Sequence, residues 1–230
     1  MGIALGEGMS IRYHSQIVKK ETLHTVSLVA PHLDRGMSVL DVGCGEGYVG
    51  EELCARGVRE AWGVDILDLR RNKAGPFSLY DGRTLPFADG RFDLVMLNFV
   101  LHHVPNEQKI SLIRQALRVT RGKLFVLEDT PTTAFDRFVS ERHGDSYRRK
   151  IDSDAPFGFL SPTEWRWLFR GMGLQAESHE LSRFCRSVLQ PFARTAFTLR
   201  KTPGEAQHAG DDEAVEGSPL GDEGSSGVRR

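Results

Sequence analysis

The residues with the clearest chemical meaning are three glycines at alternate positions, Gly43, Gly45 and Gly47, in the stretch VLDVGCGEGYVG. Glycines let a backbone turn sharply and approach a bound ligand closely. A dinucleotide-binding fingerprint, G-x-G-x-x-G, needs its third glycine where this chain has Tyr48. The acid Asp41 precedes the glycines, and a carboxylate attracts a cation and repels a pyrophosphate. The loop therefore favours a ligand with a cationic group, such as the ammonium of an amino acid, over a dinucleotide.

The segments that must position this loop alternate between strand-like and helix-like patterns. Near-continuous apolar runs, typical of strands buried on both faces, occur at 38–42, 61–65, 92–98 and 123–128. Helical patterns lie between them at 47–56 and 106–119, and two closing strands at 174–181 and 194–201 predict an antiparallel edge. This order predicts an α/β fold with a mostly parallel sheet and helices on both faces. Ligands bind such sheets at the carboxyl ends of the strands.

Composition narrows the function classes. The chain has 30 basic and 31 acidic residues among 230, a net charge of −1, which argues against nucleic acid as a partner. Its three cysteines, Cys44, Cys54 and Cys185, have no metal-ligand spacing, so we expect no metal site and a reducing compartment. No run approaches the roughly 20 apolar residues that span a bilayer. We therefore expect a cytoplasmic protein without a membrane span.

Four stretches together resemble the class I S-adenosylmethionine (SAM)-dependent methyltransferases, of the small-molecule kind that includes the ubiquinone/menaquinone-type enzymes. They are VLDVGCGEG, GVDI, DGRTLPFADGRFDLV and LNFVLHHV, within residues 35–130. The resemblance implies a Rossmann-like fold with a seven-stranded, mostly parallel sheet, an antiparallel edge strand and helices on both faces. It also implies SAM as the methyl donor, S-adenosylhomocysteine as the product and no metal.

The resemblance assigns cofactor-binding roles to matching positions. The methionine part of SAM is expected to meet the loop residues Asp41, Gly43, Cys44, Gly45 and Gly47, and Asn98 at the end of the fourth strand. Asp65 is expected to accept hydrogen bonds from both ribose hydroxyls, with Ile66 beside it; Asp81 and the Gly82 backbone are expected to hold the adenine edge. Simpler alternatives stay open: Asp65 as an ordinary strand-end acid, and Asp81 as part of a turn. Cys44 is expected to be a small residue of the loop without a nucleophilic role.

The histidine pair that follows the fourth strand suggests a base. Methyl transfer from a sulfonium is an in-line displacement, and an oxygen or nitrogen acceptor also has to lose a proton. We predict His102 as that base, because it lies four residues after Asn98 and would share its face of a helical turn. Asn98 and His102 would then both point to the methyl-transfer site as catalytic residues, and His103 is the neighbouring candidate. The alternative is a structural histidine that caps a turn, since many family members use no base.

The acceptor side of the site is predicted from the segments around the core domain. Residues 1–34 are expected to form N-terminal lid helices, 35–201 the methyltransferase domain with a substrate-covering insertion at 131–160, and 202–230 a disordered acidic tail rich in Gly and Ser. The candidate acceptor contacts are Tyr13, Glu128, Arg142 and Arg148. Glu128 would orient a cationic acceptor or cap the next segment, and the arginines would bind a carboxylate or phosphate of the acceptor.

Three functions compete. The leading hypothesis is a SAM-dependent methyltransferase that acts on a small molecule. The alternatives are a methyltransferase of protein or RNA and a non-catalytic SAM-binding regulatory module. The sequence shows no Asn-Pro-Pro-aromatic stretch after the fourth strand and no basic stripe, which disfavours nucleic acid. The glycine spacing makes a dehydrogenase the weakest option.

Overall fold

One seven-stranded sheet organises the chain. The computed structural model describes residues 7–71, 73, 75–141, 158–185 and 191–201. The strands are β1 Ser38–Val42, β2 Glu60–Asp65, β3 Phe77–Leu79, β4 Phe92–Asn98, β5 Thr120–Asp129, β6 Leu174–Cys185 and β7 Pro191–Lys201. Their order across the sheet is β3-β2-β1-β4-β5-β7-β6. The chain therefore winds outward from β1 in one direction and then returns to β4 on the other side of it.

The strand directions and order create a crevice at the carboxyl ends of β1 and β4. Strands β3, β2, β1, β4 and β5 pair in parallel, whereas β7 pairs antiparallel with both β5 and β6. The β7–β6 pair forms the expected antiparallel edge, with β7 as the reversed strand. The strand order reverses between β1 and β4, where adjacent connections leave in opposite directions and open a crevice. Asp41 on β1 and Asn98 at the end of β4 flank that crevice.

Helices cover both faces of the sheet. The α-helices are α1 Glu7–Val29, α2 Tyr48–Ala55, α3 Asn106–Val119 and α4 Pro162–Gly171, and 3-10 helices lie at Ala30–His32 and Leu101–His103. Residues 134–141 are also helical. One core packs α1 and α2 on one face of the sheet, and a second core packs α3 and α4 on the other. Neighbouring strand residues alternate between the two cores, which explains why the sequence shows unbroken apolar runs.

The predicted α/β architecture is confirmed, including all four core strands. The helix predicted at 106–119 has those bounds. Helix α4 begins with a capping box, in which Ser161 and Glu164 each accept from the other's backbone N–H. The short strand β3 was missed, because three residues carry no readable alternation. No helix among the described residues is long and apolar enough to cross a membrane. The predicted acidic tail at 202–230 lies outside the described residues.

Candidate functional site

The glycine loop joins β1 to α2 through three left-handed backbone positions. The φ angles are +71° at Gly43, +51° at Gly45 and +84° at Gly47. A side chain at Gly43 would put its Cβ 2.3 Å from a methyl carbon of Val100, whereas a Cβ at Gly45 would meet no atom within 4 Å. Gly47 is the N-cap of α2. The third glycine therefore stands at position 47, one residue earlier than in a dinucleotide-binding loop, because the last left-handed position of this turn is residue 47.

The acid at the end of β2 holds the loop in place. One carboxylate oxygen of Asp65 accepts the backbone N–H of Gly45 at 2.9 Å, and the other accepts the N–H of Ile66 at 2.7 Å. Asp65 is only partly buried, and Ile66 is 54% exposed. The structure thus brings the predicted ribose acid against the predicted methionine loop. Its predicted role toward the ribose hydroxyls stays a prediction.

A buried acid–amide pair spans the crevice between β1 and β4. The side-chain amide of Asn98 donates to Asp41 Oδ1 at 3.0 Å. The carbonyl oxygen Oδ1 of Asn98 is buried and has no hydrogen-bond partner within the described part of the chain. Burial raises the pKa of Asp41 to about 7; the nearby charge of Asp65 adds to the rise, and the bond from Asn98 opposes it. Two hydrogen-bond acceptors are therefore held together beside the loop whose sequence favours an ammonium group.

A cavity of about 300 Å³ adjoins this pair. Its walls are the glycine loop, the end of β4 and the start of α2, together with one face of α1. The α1 residues follow helical spacing: Val18, Glu21, Thr22 and Thr25. These four were missed by sequence reasoning, although their i, i+3, i+4, i+7 spacing was a readable signal. The predicted lid residue Tyr13 belongs to α1, and its side chain lies outside what the structure describes.

Cys44 lies in the same loop, and its surroundings disfavour the thiolate form. Burial raises the pKa of its thiol well above the ordinary value, and the negative charges of Asp41 and Asp65 raise it further. The expectation that Cys44 has no nucleophilic role stays a prediction. The side chain packs closely against Gly63, where an added Cβ would lie 2.7 Å from the sulfur.

The predicted helical turn from Asn98 to His102 does not form. Asn98 is still paired with Leu127 of β5, and Phe99 adopts a left-handed φ of +56° while its N–H donates to the Leu127 carbonyl. The 3-10 helix begins only at Leu101. Because the ladder holds Asn98 in the strand, the four-residue spacing does not put Asn98 and His102 on one helix face. The positive φ of a bulky residue marks strain at this point of the site.

His102 instead meets Glu128 at the end of β5. Its Nδ1 lies 2.5 Å from Glu128 Oε2, and Oε1 accepts the backbone N–H groups of Val100 and Leu101. Glu128 is fully buried and His102 is 6% exposed. Both oxygens of Glu128 are thus bonded inside the protein, and its predicted role of orienting a cationic acceptor stays a prediction. The ring of His102 stacks on Phe159, just after the undescribed part of the insertion.

A second buried charge cluster was not anticipated from the sequence. Arg194 on β7 is 2% exposed; it donates to Asp129 of β5 at 3.0 Å and to Glu21 of α1 at 2.9 Å. Its guanidinium lies 4.4 Å from the centre of the Phe99 ring. Glu21 and Phe99 both line the cavity. Arg194 thus links α1, which forms one wall of the cavity, to the sheet. It also contacts the ring of Phe99, the strained residue that follows Asn98.

The remaining predicted site residues are Asp81 with Gly82, Arg142 and Arg148. Asp81 accepts the backbone N–H groups of Arg83 and Thr84, both at 2.8 Å, so it forms the alternative turn with Gly82 while staying exposed beside β3. Arg142 and Arg148 lie outside the described residues. Within the described part of the chain no group of three His, Cys, Asp or Glu side chains is arranged to hold a metal ion.

The chain resembles known proteins in both sequence and fold. A family model described as a methyltransferase domain matches residues 13–179. An uncharacterized methyltransferase of Mycobacterium sp. (strain KMS) is 40% identical over 103 residues, which cover 41% of this chain and 39% of the relative. A demethylmenaquinone methyltransferase of Mycobacterium bovis (strain BCG / Pasteur 1173P2) is 36% identical over 105 residues, covering 43% and 44%. The match thus spans about two fifths of the length of these curated relatives.

The fold of the chain also resembles that of a solved methyltransferase structure. The crystal structure of magnesium protoporphyrin IX methyltransferase from Synechocystis PCC 6803, solved with bound S-adenosylhomocysteine, superposes with a TM-score of 0.58. It is 20% identical in sequence, and the match covers 87% of this chain and 90% of that one. At that identity the likeness concerns the fold alone.

Proposed function

The chain belongs to the family of methyltransferase domains, and from that premise we propose that it transfers a methyl group from SAM to a small-molecule acceptor. The observation that carries the proposal is the Asp41–Asn98 pair beside the cavity of about 300 Å³. A buried carboxylate and an unsatisfied carbonyl oxygen together suit a donor that is also a cation. The ammonium of SAM has both properties.

The chain's own residues fit the rest of the donor. SAM, when bound, supplies a methyl group on a sulfonium, so the protein has to align it and exclude water. Gly43 and Gly45 would let the backbone approach the methionine part, as Gly45 has open space in front of its Cα. Asp65 would turn to the ribose and Asp81 to the adenine edge. Both lie at the carboxyl ends of neighbouring strands, where α/β sheets bind nucleotides.

Calorimetry tests the donor. SAM, S-adenosylhomocysteine and NAD should be titrated into the wild-type protein and into an Asn98→Ala variant, with Asp89→Asn as a matched control, since Asp89 is 79% exposed and far from the loop in the sequence. We expect binding of SAM and S-adenosylhomocysteine but not NAD, and weaker binding only in the Asn98 variant. Binding of NAD in preference to SAM would contradict the proposal.

The small-molecule acceptor is the finer part of the proposal. Its support is the near-neutral net charge and the likeness to a demethylmenaquinone methyltransferase. Labelled SAM should be offered with a panel of quinols, catechols and aromatic acids, and separately with total RNA and with a protein fraction. We expect label in the small molecules. Label in RNA or protein alone would replace the proposal with a macromolecular methyltransferase, and SAM binding without any transfer would favour a regulatory module.

We further propose that the acceptor carries an acidic group held by Arg142 or Arg148. The support comes from the sequence, since a guanidinium binds carboxylates and phosphates in a bidentate manner. Matched acceptors with and without a carboxylate should be compared in the wild type and in an Arg142→Gln, Arg148→Gln double variant. A preference for the carboxylate that disappears in the variant is expected; equal rates in the wild type would defeat the idea.

A further inference from the structure

The connection between β2 and β3 leaves large apolar side chains in contact with solvent. Parallel strands are usually joined by a crossover helix, which lays its apolar face on the sheet. This connection has no helix in its described residues, which are 66–71, 73, 75 and 76. Leu67 and Leu69 are about half exposed, and so is Leu79 at the end of β3. These three leucines, which we call the β2–β3 patch, therefore face solvent instead of packing on the sheet.

A second exposed apolar group follows β5. Phe135 and Phe138 are each more than half exposed, and their spacing within the helical residues 134–141 puts them on one helix face. We call this pair the β5 patch. Strands β3 and β5 are separated by four strand spacings, which is about 19 Å. The strands that lead into the two patches therefore lie on opposite sides of the crevice between β1 and β4.

Exposed apolar side chains are concentrated at the carboxyl edge of the sheet. Eight large apolar residues are exposed among the side chains that the structure describes, and six of them end or follow β2, β3 and β5. The sixth is Ile66, which the donor is expected to cover; the other two are Leu23 of α1 and Trp167 of α4. At the opposite, amino edge, β1 and β2 are preceded by the exposed bases Arg35 and Arg59. Apolar exposure on one edge only indicates a surface for docking.

Basic side chains accompany the β2–β3 patch. The stretch 66–83 contains four bases and two acids, a net charge of +2. Arg71 and Lys73 are both largely exposed; each approaches one acid, Glu46 or Asp68, and such surface pairs are weak. Leucines and phenylalanines beside exposed bases suit an anionic bilayer, because the apolar side chains enter the acyl boundary while the bases meet the headgroups.

We propose that the carboxyl edge of the sheet docks on an anionic lipid surface through the β2–β3 patch and the β5 patch. A ligand that fills the cavity of about 300 Å³ is too small to cover both patches, since the strands that lead into them are about 19 Å apart. A protein bound across both would block the crevice, whereas a bilayer connects the crevice to acceptors dissolved in the lipid. Docking of this kind requires neither SAM nor methyl transfer.

Vesicle sedimentation of the full chain, without SAM, tests the docking. Vesicles of phosphatidylcholine alone are compared with vesicles of equal parts phosphatidylcholine and phosphatidylglycerol. We expect binding to the anionic vesicles that weakens as salt is added, because salt screens the attraction. Absence of binding to the anionic vesicles, or equal binding to the neutral ones, would overturn the inference. Absence of S-adenosylhomocysteine binding by calorimetry would instead overturn only the proposed function.

Substitutions in each patch locate the docking surface. A Leu67→Ser, Leu69→Ser variant and a Phe135→Ser, Phe138→Ser variant should each bind anionic vesicles at least about tenfold more weakly, because each loses two large apolar side chains. Trp167→Ser is the matched control, since Trp167 is 70% exposed but lies on α4. We expect it to bind like the wild type, and all three variants to unfold in urea like the wild type. Equal weakening in the control would defeat the assignment.

The charge requirement has its own variant pair. Arg71→Gln, Lys73→Gln should weaken binding to anionic vesicles by about 25-fold, about fivefold for each base. Arg35→Gln, Arg59→Gln removes two exposed bases from the amino edge and should change nothing. The same loss in both pairs would show a general charge effect and refute docking by the carboxyl edge. A dimer in sedimentation velocity that either double serine variant abolishes, together with no vesicle binding, would assign the patches to a second copy of the chain.

Discussion

Replacing Asp41 by Asn should stabilise the ligand-free protein at pH 8 while weakening its affinity for SAM. Burial raises the pKa of Asp41 from 3.8 to about 7. Each pKa unit corresponds to about 1.4 kcal/mol, so the ionised carboxylate costs the folded state at most about 4 kcal/mol. The Asn amide has no charge to bury, and its oxygen still accepts from Asn98 Nδ2. We expect the free energy of unfolding to rise by about 1–3 kcal/mol at pH 8, since relaxation recovers part of the penalty.

Because the pKa of Asp41 is raised in the folded state, the free energy of unfolding depends on pH in a defined direction. An unfolded Asp loses its proton near pH 3.8 and the folded one near pH 7, so the free energy of unfolding of the wild type falls as pH rises between those values. Above pH 7 both states are ionised, and the penalty is constant. The advantage of Asp41→Asn should therefore grow from pH 5 to pH 8 and then level off. Urea unfolding of both proteins at several pH values measures it, with Asp89→Asn as the exposed-acid control.

The affinity of the wild type for SAM should rise with pH, whereas its free energy of unfolding falls. Only the ionised Asp41 attracts the ammonium of SAM, and with a pKa of about 7 it is ionised in about 9% of molecules at pH 6 and about 76% at pH 7.5. The affinity of the wild type should thus rise about eightfold over that interval. Asp41→Asn should bind more weakly and show a flat profile by calorimetry. A variant that is no more stable at pH 8, or a flat wild-type profile, would refute the assignment of the ammonium to Asp41.

The other predictions concern the loop and the buried arginine. Gly43→Ala should destabilise the protein by more than the roughly 1–2 kcal/mol of a left-handed alanine, because its Cβ meets Val100; Gly45→Ala should cost only the backbone strain. Urea unfolding compares them, and Val100→Ala should recover part of the Gly43→Ala loss but none of the Gly45→Ala loss; equal costs would contradict this reasoning. Arg194→Met should lower the free energy of unfolding by about 3–5 kcal/mol, because it leaves two carboxylates without their buried cation. A change below about 1 kcal/mol in the same assay would show that those carboxylates are not stabilised by Arg194.

Much of the fold could be predicted because its signals are local. The four core strands are unbroken apolar runs, since both faces of a central strand are buried by helices. Helix α3 shows an apolar stripe along its length, and α4 carries its own start signal in Ser161 and Glu164. The glycine loop could also be predicted, because positive φ angles select glycine at those positions whatever surrounds them. Strand β3 was too short for such a signal.

The α/β architecture and the residue types at the carboxyl edge of the sheet can therefore be inferred from local sequence patterns. Which of these residues contact one another depends on the tertiary fold. Asp41 meets Asn98, Glu128 meets His102, and Arg194 meets Asp129 and Glu21, across 57, 26, 65 and 173 positions of the chain. A helical spacing suggested that Asn98 and His102 act together, yet the β4–β5 ladder separates them. Parallel strands bring the ends of distant segments to one edge, and the partner of a buried charge depends on that register, which no local pattern encodes.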